Sequence, residues 1–144
     1  MSDVGPCAER AVIAIDPGTA KCGVALVNRA DGAVFRAVVA STEVAATVRR
    51  LMARFPSATV IVGDGTGSAA LLRVLADSLA DLELRAVPER GTSILARERF
   101  LSDHPPRGWR RLVPVGLRYP DAPYDDYVAV ILAERWLALS CAED

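Results

Sequence analysis

Asp16 ends an unbroken apolar run, Val12-Ile13-Ala14-Ile15, and Pro17-Gly18-Thr19 follow it at once. The run reads as a strand buried on both faces. A carboxylate at its end is costly to strip of water unless a hydrogen bond, a cation or a metal compensates it. Aspartate before Pro-Gly also caps a turn well, so for Asp16 alone a turn cap and a metal or phosphate site both stand. Three further acids occupy comparable places. Asp64 follows Val60-Ile61-Val62 in the loop Gly63-Asp64-Gly65-Thr66-Gly67, Glu89 closely follows Arg85-Ala86-Val87, and Asp125 and Asp126 open a long apolar segment. Carboxylates of this kind suit hard divalent ions such as Mg²⁺ or Mn²⁺, which take oxygen ligands and keep several waters. No histidine or cysteine is needed, and the only histidine, His104, stands in a proline-rich stretch.

The elements that must position these acids follow from periodicity. Strands are expected over 11–15, 23–28 and 33–39, with Ala30-Asp31-Gly32 as the hairpin turn between the last two. Ser41 or Thr42 is expected to cap a helix whose stripe is Val44, Val48, Leu51, Met52 and Phe55. Strand 59–62, helix 68–79, strand 84–87 and helix 91–101 follow, and 102–120, with four prolines, reads as loop. A helix over 124–139 closes the chain. At about 100° per residue, Val128, Leu132, Trp136 and Leu139 lie within about 60° of Asp125, whereas Asp126 lies about a quarter-turn away. A carboxylate in the first turn is favoured by the helix dipole, but the dipole gives no reason for one on the buried side. Three strands joined by short turns, then alternating helix and strand, imply an α/β fold with a mixed five-stranded sheet. Three strands run antiparallel, two return parallel to the first, and helices cover both faces. This is the order of the ribonuclease H-like fold, which hosts many activities.

Composition bounds the class. The chain has 144 residues, 51% of them hydrophobic and 24% charged, with a net charge of −1. A single domain over 1–144 is expected, with 1–10 as a flexible extension. No apolar run approaches a membrane span, residues 1–10 lack an export signal, and three cysteines without a CxxC pair fit a reduced cytoplasm. Lys21 is the only lysine. Eight arginines lie between Arg85 and Arg118 against three acids, and from Asp121 onward six acids face one arginine. That asymmetry fits a basic surface for phosphates beside an acidic centre, and equally a solvated arginine-rich face.

The segments IDPGTAKCGVALV, VIVGDGTG, PERGTSILA and YDDYVAVILAERWL, taken in order, resemble the motifs of the YqgF/RuvX family of Holliday-junction resolvases and pre-16S ribosomal-RNA nucleases. Glu89, Arg90, Thr92 and Ala96 match one motif, and Asp125 and Ala129 another. The resemblance covers about residues 11–139. Pro88 departs from it where the family has an acid, Val128 where it has an alanine, and Asp64 where an apolar residue often stands. The resemblance implies a divalent-metal-dependent endonuclease acting on structured nucleic acid, either branched DNA or precursor ribosomal RNA. Two Mg²⁺ or Mn²⁺ ions would activate water and stabilise the leaving oxyanion. Asp16 would bridge them, Asp125 would hold one, and Glu89 or Asp64 the other. Lys21 and Arg90 would neutralise phosphate, and Arg110 and Arg111 would add to nucleic-acid binding; plain surface charge is the competing reading of Lys21 and Arg90. Symmetric cutting of a junction implies a homodimer. Two other classes compete: a silent binding or scaffold module on the same core, and an actin-like ATPase, whose second domain has no room in this chain.

Overall fold

The computed structural model describes residues 10–18, 20–65, 67–105, 108–114 and 124–142; the expected flexible extension falls almost wholly outside them. Five strands form one sheet: β1 (Ala11–Asp16), β2 (Lys21–Asn28), β3 (Gly32–Ala40), β4 (Thr59–Gly63) and β5 (Leu84–Val87). Their order is β3-β2-β1-β4-β5. β2 is antiparallel to both β1 and β3, whereas β4 runs parallel to β1 and β5 parallel to β4. This is the ribonuclease H-like arrangement, with the mixed five-stranded sheet expected from the element order. The reason is local. Short turns can join only antiparallel neighbours, while the later strands return through helices and so run parallel.

The central strand β1 is buried along its whole length because helices cover both faces. On one face Ile13, Ile15, Val24, Leu26, Val60 and Val62 pack against α1 (Val44–Arg54) and α2 (Ser68–Ser78). On the other, Val12, Ala14, Ala25, Val27 and Ile61 pack against α3 (Thr92–Asp103) and α4 (Asp125–Ala142). The strand's period of two puts Asp16 on the face of Val12 and Ala14, towards α4. No helix among the described residues is long and apolar enough to cross a membrane.

Several expected details are corrected. β1 includes Asp16 and β2 begins at Lys21, because the pairing of Asp16 with Gly23 extends the hairpin almost to its turn. Neither Ser41 nor Thr42 caps α1. Residues 41–43 form a 3-10 turn, and the Ser41 hydroxyl donates instead to the Ala20 carbonyl at 2.9 Å. Phe55 lies just beyond the last residue of α1. α3 continues to Asp103 rather than ending at 101, and Gly108–Leu112 forms a further 3-10 turn inside the segment expected to be loop. Ser102 and Asp103 fall in the segment expected to be loop, yet Asp103 accepts the Tyr127 hydroxyl at 3.0 Å, which ties the last turn of α3 to α4. Leu139, placed on the inward stripe of α4 by periodicity, is 63% exposed. The helix is buried nearly all round from Tyr127 to Ala133 and then emerges, so one stripe cannot describe it.

Candidate metal centre

β1, β4 and β5 are parallel, so their carboxyl ends share one edge of the sheet, where ligands of open α/β sheets gather. Ile15 pairs with Val62 and Gly63 with Val87, so Asp16, the end of β4 and the segment after β5 lie side by side. The first turn of α4 reaches the same edge. Gly23 permits this: a Cβ there would collide with the Asp125 carbonyl and the Asp126 nitrogen, which are backbone atoms and cannot turn aside.

Asp16 is buried, 8% exposed. Its carboxyl is pushed up to about 9, first by burial, then by a hydrogen bond with and the charge of Glu89, then by Asp125. Both neighbours are within hydrogen-bonding reach of it, so the structure brings Asp16, Glu89 and Asp125 together. Among the described residues no lysine or arginine pairs with any of the three. Such a group holds its mutual repulsion in check by retaining a proton.

Glu89 is held where two side chains are missing. A Cβ on Gly63 or on Gly65 would overlap its carboxylate, so the glycines of the loop after β4 form its niche. Its Oε1 is buried without a hydrogen-bond partner. Thr92, fully buried, fixes the backbone: its hydroxyl donates to the Glu89 carbonyl at 2.5 Å and its N–H to the same oxygen at 2.9 Å. Asp64 is placed differently. It is exposed, its Oδ1 accepts the Glu89 N–H at 3.0 Å, and its own N–H donates to the Val87 carbonyl at 2.9 Å. Its carboxylate therefore serves the turn that carries Glu89.

Asp126 turns away from Asp125 towards β3. Its Oδ2 pairs with Arg36 Nε at 3.0 Å, while its Oδ1 is buried and unpartnered. Burial raises its pKa although Arg36 opposes the shift. Lys21 and Arg90 are exposed, and the Arg90 carbonyl accepts from Arg135 Nη1 at 3.0 Å. Arg111 is exposed on the 3-10 turn after α3, with Nε donating to the Gly108 carbonyl at 3.4 Å. The Arg110 side chain and all of Arg107 and Arg118 lie outside the described residues. Within the basic stretch Arg85 pairs with Glu83 and Arg99 with Glu134.

The donor set fits a hard divalent cation in chemistry: three carboxylates, no lysine or arginine paired with them among the described residues, and one buried carboxylate oxygen without a hydrogen-bond partner. Among the described residues no three acids, histidines or cysteines are already closed to ligand spacing. Sequence reasoning missed Gly23, Arg36 and the niche made by Gly63 and Gly65. The glycines of the loop are visible in the sequence, but what they make room for is not.

No family model matches this chain, and no curated protein matches it. Among solved structures it is similar to the one titled "Thermus thermophilus RuvC structure", with a TM-score of 0.48 and 18% identity, over 85% of this chain and 90% of that chain.

Proposed function

We propose that the chain is a divalent-metal-dependent nuclease that hydrolyses phosphodiester bonds of structured nucleic acid, branched DNA or precursor ribosomal RNA. One observation carries this reading: Asp16 is buried at the carboxyl end of the central strand, with Glu89 and Asp125 beside it and, among the described residues, no cation paired with any of them. A turn cap does not call for two further acids within reach of it. Asp16, Glu89 and Asp125 would hold Mg²⁺ or Mn²⁺, two ions in the full site. When bound, the ions supply an activated water and neutralise the departing oxyanion.

The chain's own residues do the rest. Asp16 would give up its proton to solvent on becoming a ligand. Asp64 and Thr92 hold the turn that aims Glu89, and Gly63 and Gly65 leave the space for it. Lys21 and Arg90, exposed on the segments that follow Asp16 and Glu89, meet the phosphates on either side of the scissile bond. Arg110 and Arg111 extend the contact along the backbone, as sequence-independent affinity requires. Paired cuts in a junction call for two such sites, hence a homodimer on that substrate.

The test is incubation of the purified protein with end-labelled four-way junction DNA and with precursor ribosomal RNA, in Mn²⁺, Mg²⁺ or EDTA. Cleavage of either substrate that EDTA abolishes supports the reading. Tight binding of both without cleavage in either metal would leave a scaffold module in its place. Sedimentation of the protein on junction DNA tests the dimer, and a strict monomer there would favour RNA as the substrate.

A further inference from the structure

The paired acids at the start of α4 divide their work, and a residue far away in sequence holds them apart. Arg36 lies opposite Ala25 in the β2–β3 pairing, and Ala25 faces α4. Cross-strand partners share a face, so Arg36 is directed at the first turn of α4. There its Nε pairs with Asp126 Oδ2 at 3.0 Å and its guanidinium lies 4.2 Å from the centre of the Tyr127 ring. It thus grips the two residues that follow Asp125. Tyr127 is held from its other end by Asp103 of α3. Gly23 provides the seat on which the Asp125 backbone rests, and the Tyr127 and Val128 N–H groups bond the Tyr124 carbonyl at 3.0 and 3.2 Å, but neither contact holds the Asp126 and Tyr127 side chains.

We propose that Arg36 is a positioning residue for the metal centre: by clamping Asp126 and Tyr127 it fixes the first turn of α4 and so holds the Asp125 carboxylate against Asp16. Arg36 makes no contact with Asp16, Glu89 or Asp125 among the described residues, so it acts through the turn. The planar fork matters, since one edge meets the carboxylate while the face lies on the ring. The inference rests on the reading of the site as a metal centre.

The test is Mn²⁺ binding by calorimetry, in the absence of nucleic acid and well below the melting temperature, for the wild type, R36M, D126N and R36M/D126N. Removing a group that orients metal ligands typically costs 10–100-fold in affinity, and that loss is expected for R36M. D126N loses the charge of the pair but retains an oxygen that accepts from Arg36, so its loss of Mn²⁺ affinity is expected to be smaller than that of R36M. R36M/D126N is decisive, because it removes the clamp without leaving a buried unpaired carboxylate. Its melting temperature is expected to recover towards wild type while its Mn²⁺ affinity stays weakened, and it carries the test if R36M alone does not fold. Recovery of affinity together with stability would show that Arg36 only compensates a buried charge, and would overturn the proposal. So would unchanged binding in R36M, or an equal loss in D126N alone. A wild type that binds no Mn²⁺ overturns the reading of the site itself, and the inference with it.

Discussion

Replacing Asp16 with asparagine should make the metal-free protein more stable and the metal-loaded protein inert. The carboxyl of Asp16 is raised from an ordinary 3.8 to about 9, above all by burial. An acid whose pKa is higher in the fold than in the unfolded chain costs nothing below the unfolded value. The cost grows as pH climbs from about 4 and levels off near 9, because over that range the fold must keep a proton the unfolded chain has lost. At about 1.36 kcal/mol per unit, the cost at pH 7 has an upper limit of about 4 kcal/mol. Movement of Glu89 and Asp125 and entry of water relieve part of it, so a measured gain of roughly 1–3 kcal/mol is expected for Asp16→Asn. That is a rise of roughly 3–12 °C in melting temperature for a chain of this size. The assay is thermal melting of both proteins in EDTA at pH 5, 7 and 8.5. The gap should widen with pH, and added Mn²⁺ should close it by stabilising only the wild type. A mutant less stable than wild type at pH 8.5, or a gap that ignores pH, would refute the reasoning and return Asp16 to the role of a turn cap.

Further outcomes follow from the same geometry. Glu89→Gln should shift the Mn²⁺ dependence of cleavage to higher concentration. Asp64→Asn, which still accepts the Glu89 N–H, should not, whereas Asp64→Ala should slow cleavage without moving the Mn²⁺ midpoint; a shifted midpoint in Asp64→Asn would make Asp64 a ligand. Gly63→Ala forces a methyl into the Glu89 carboxylate and should cost about 1–3 kcal/mol in denaturant melts along with most of the activity; an active, equally stable variant would remove the niche. Replacing Arg110 and Arg111 with alanine should lower the log–log salt slope of nucleic-acid binding by up to about 2, and an unaltered slope would leave them as solvated charges.

Parts of this site are legible in the sequence, and parts depend on packing that only the fold reveals. An aspartate closing Val12–Ile15 is visible because a buried strand has no ordinary use for a charge. Asp125 is visible through its phase with Val128 and Leu132, although the same stripe misplaces Leu139, since burial of α4 changes along its length. Asp64 and Glu89 each follow an apolar strand and look alike as letters. What separates their surroundings is that Gly63 and Gly65 lack side chains where Glu89 lies, a matter of register between β4 and β5. Arg36 carries no signal at all: alternation shows only that one side of β3 faces a helix, and its partners stand some ninety residues further on. The sheet order was readable because turn length dictates strand direction, whereas the ends of α1 and α3 were set by hydrogen bonds to distant residues, Ser41 to Ala20 and Asp103 to Tyr127.

The most direct test of the central claim is an anomalous difference map from crystals of the wild-type protein soaked in Mn²⁺ at pH 7.5–8. The account predicts a peak at the carboxyl end of β1, ligated by Asp16 together with Glu89 or Asp125, and no such peak in Asp16→Asn crystals. Fully ordered carboxylates with no peak among them, or Mn²⁺ held only at Asp64 or elsewhere on the surface, would contradict it.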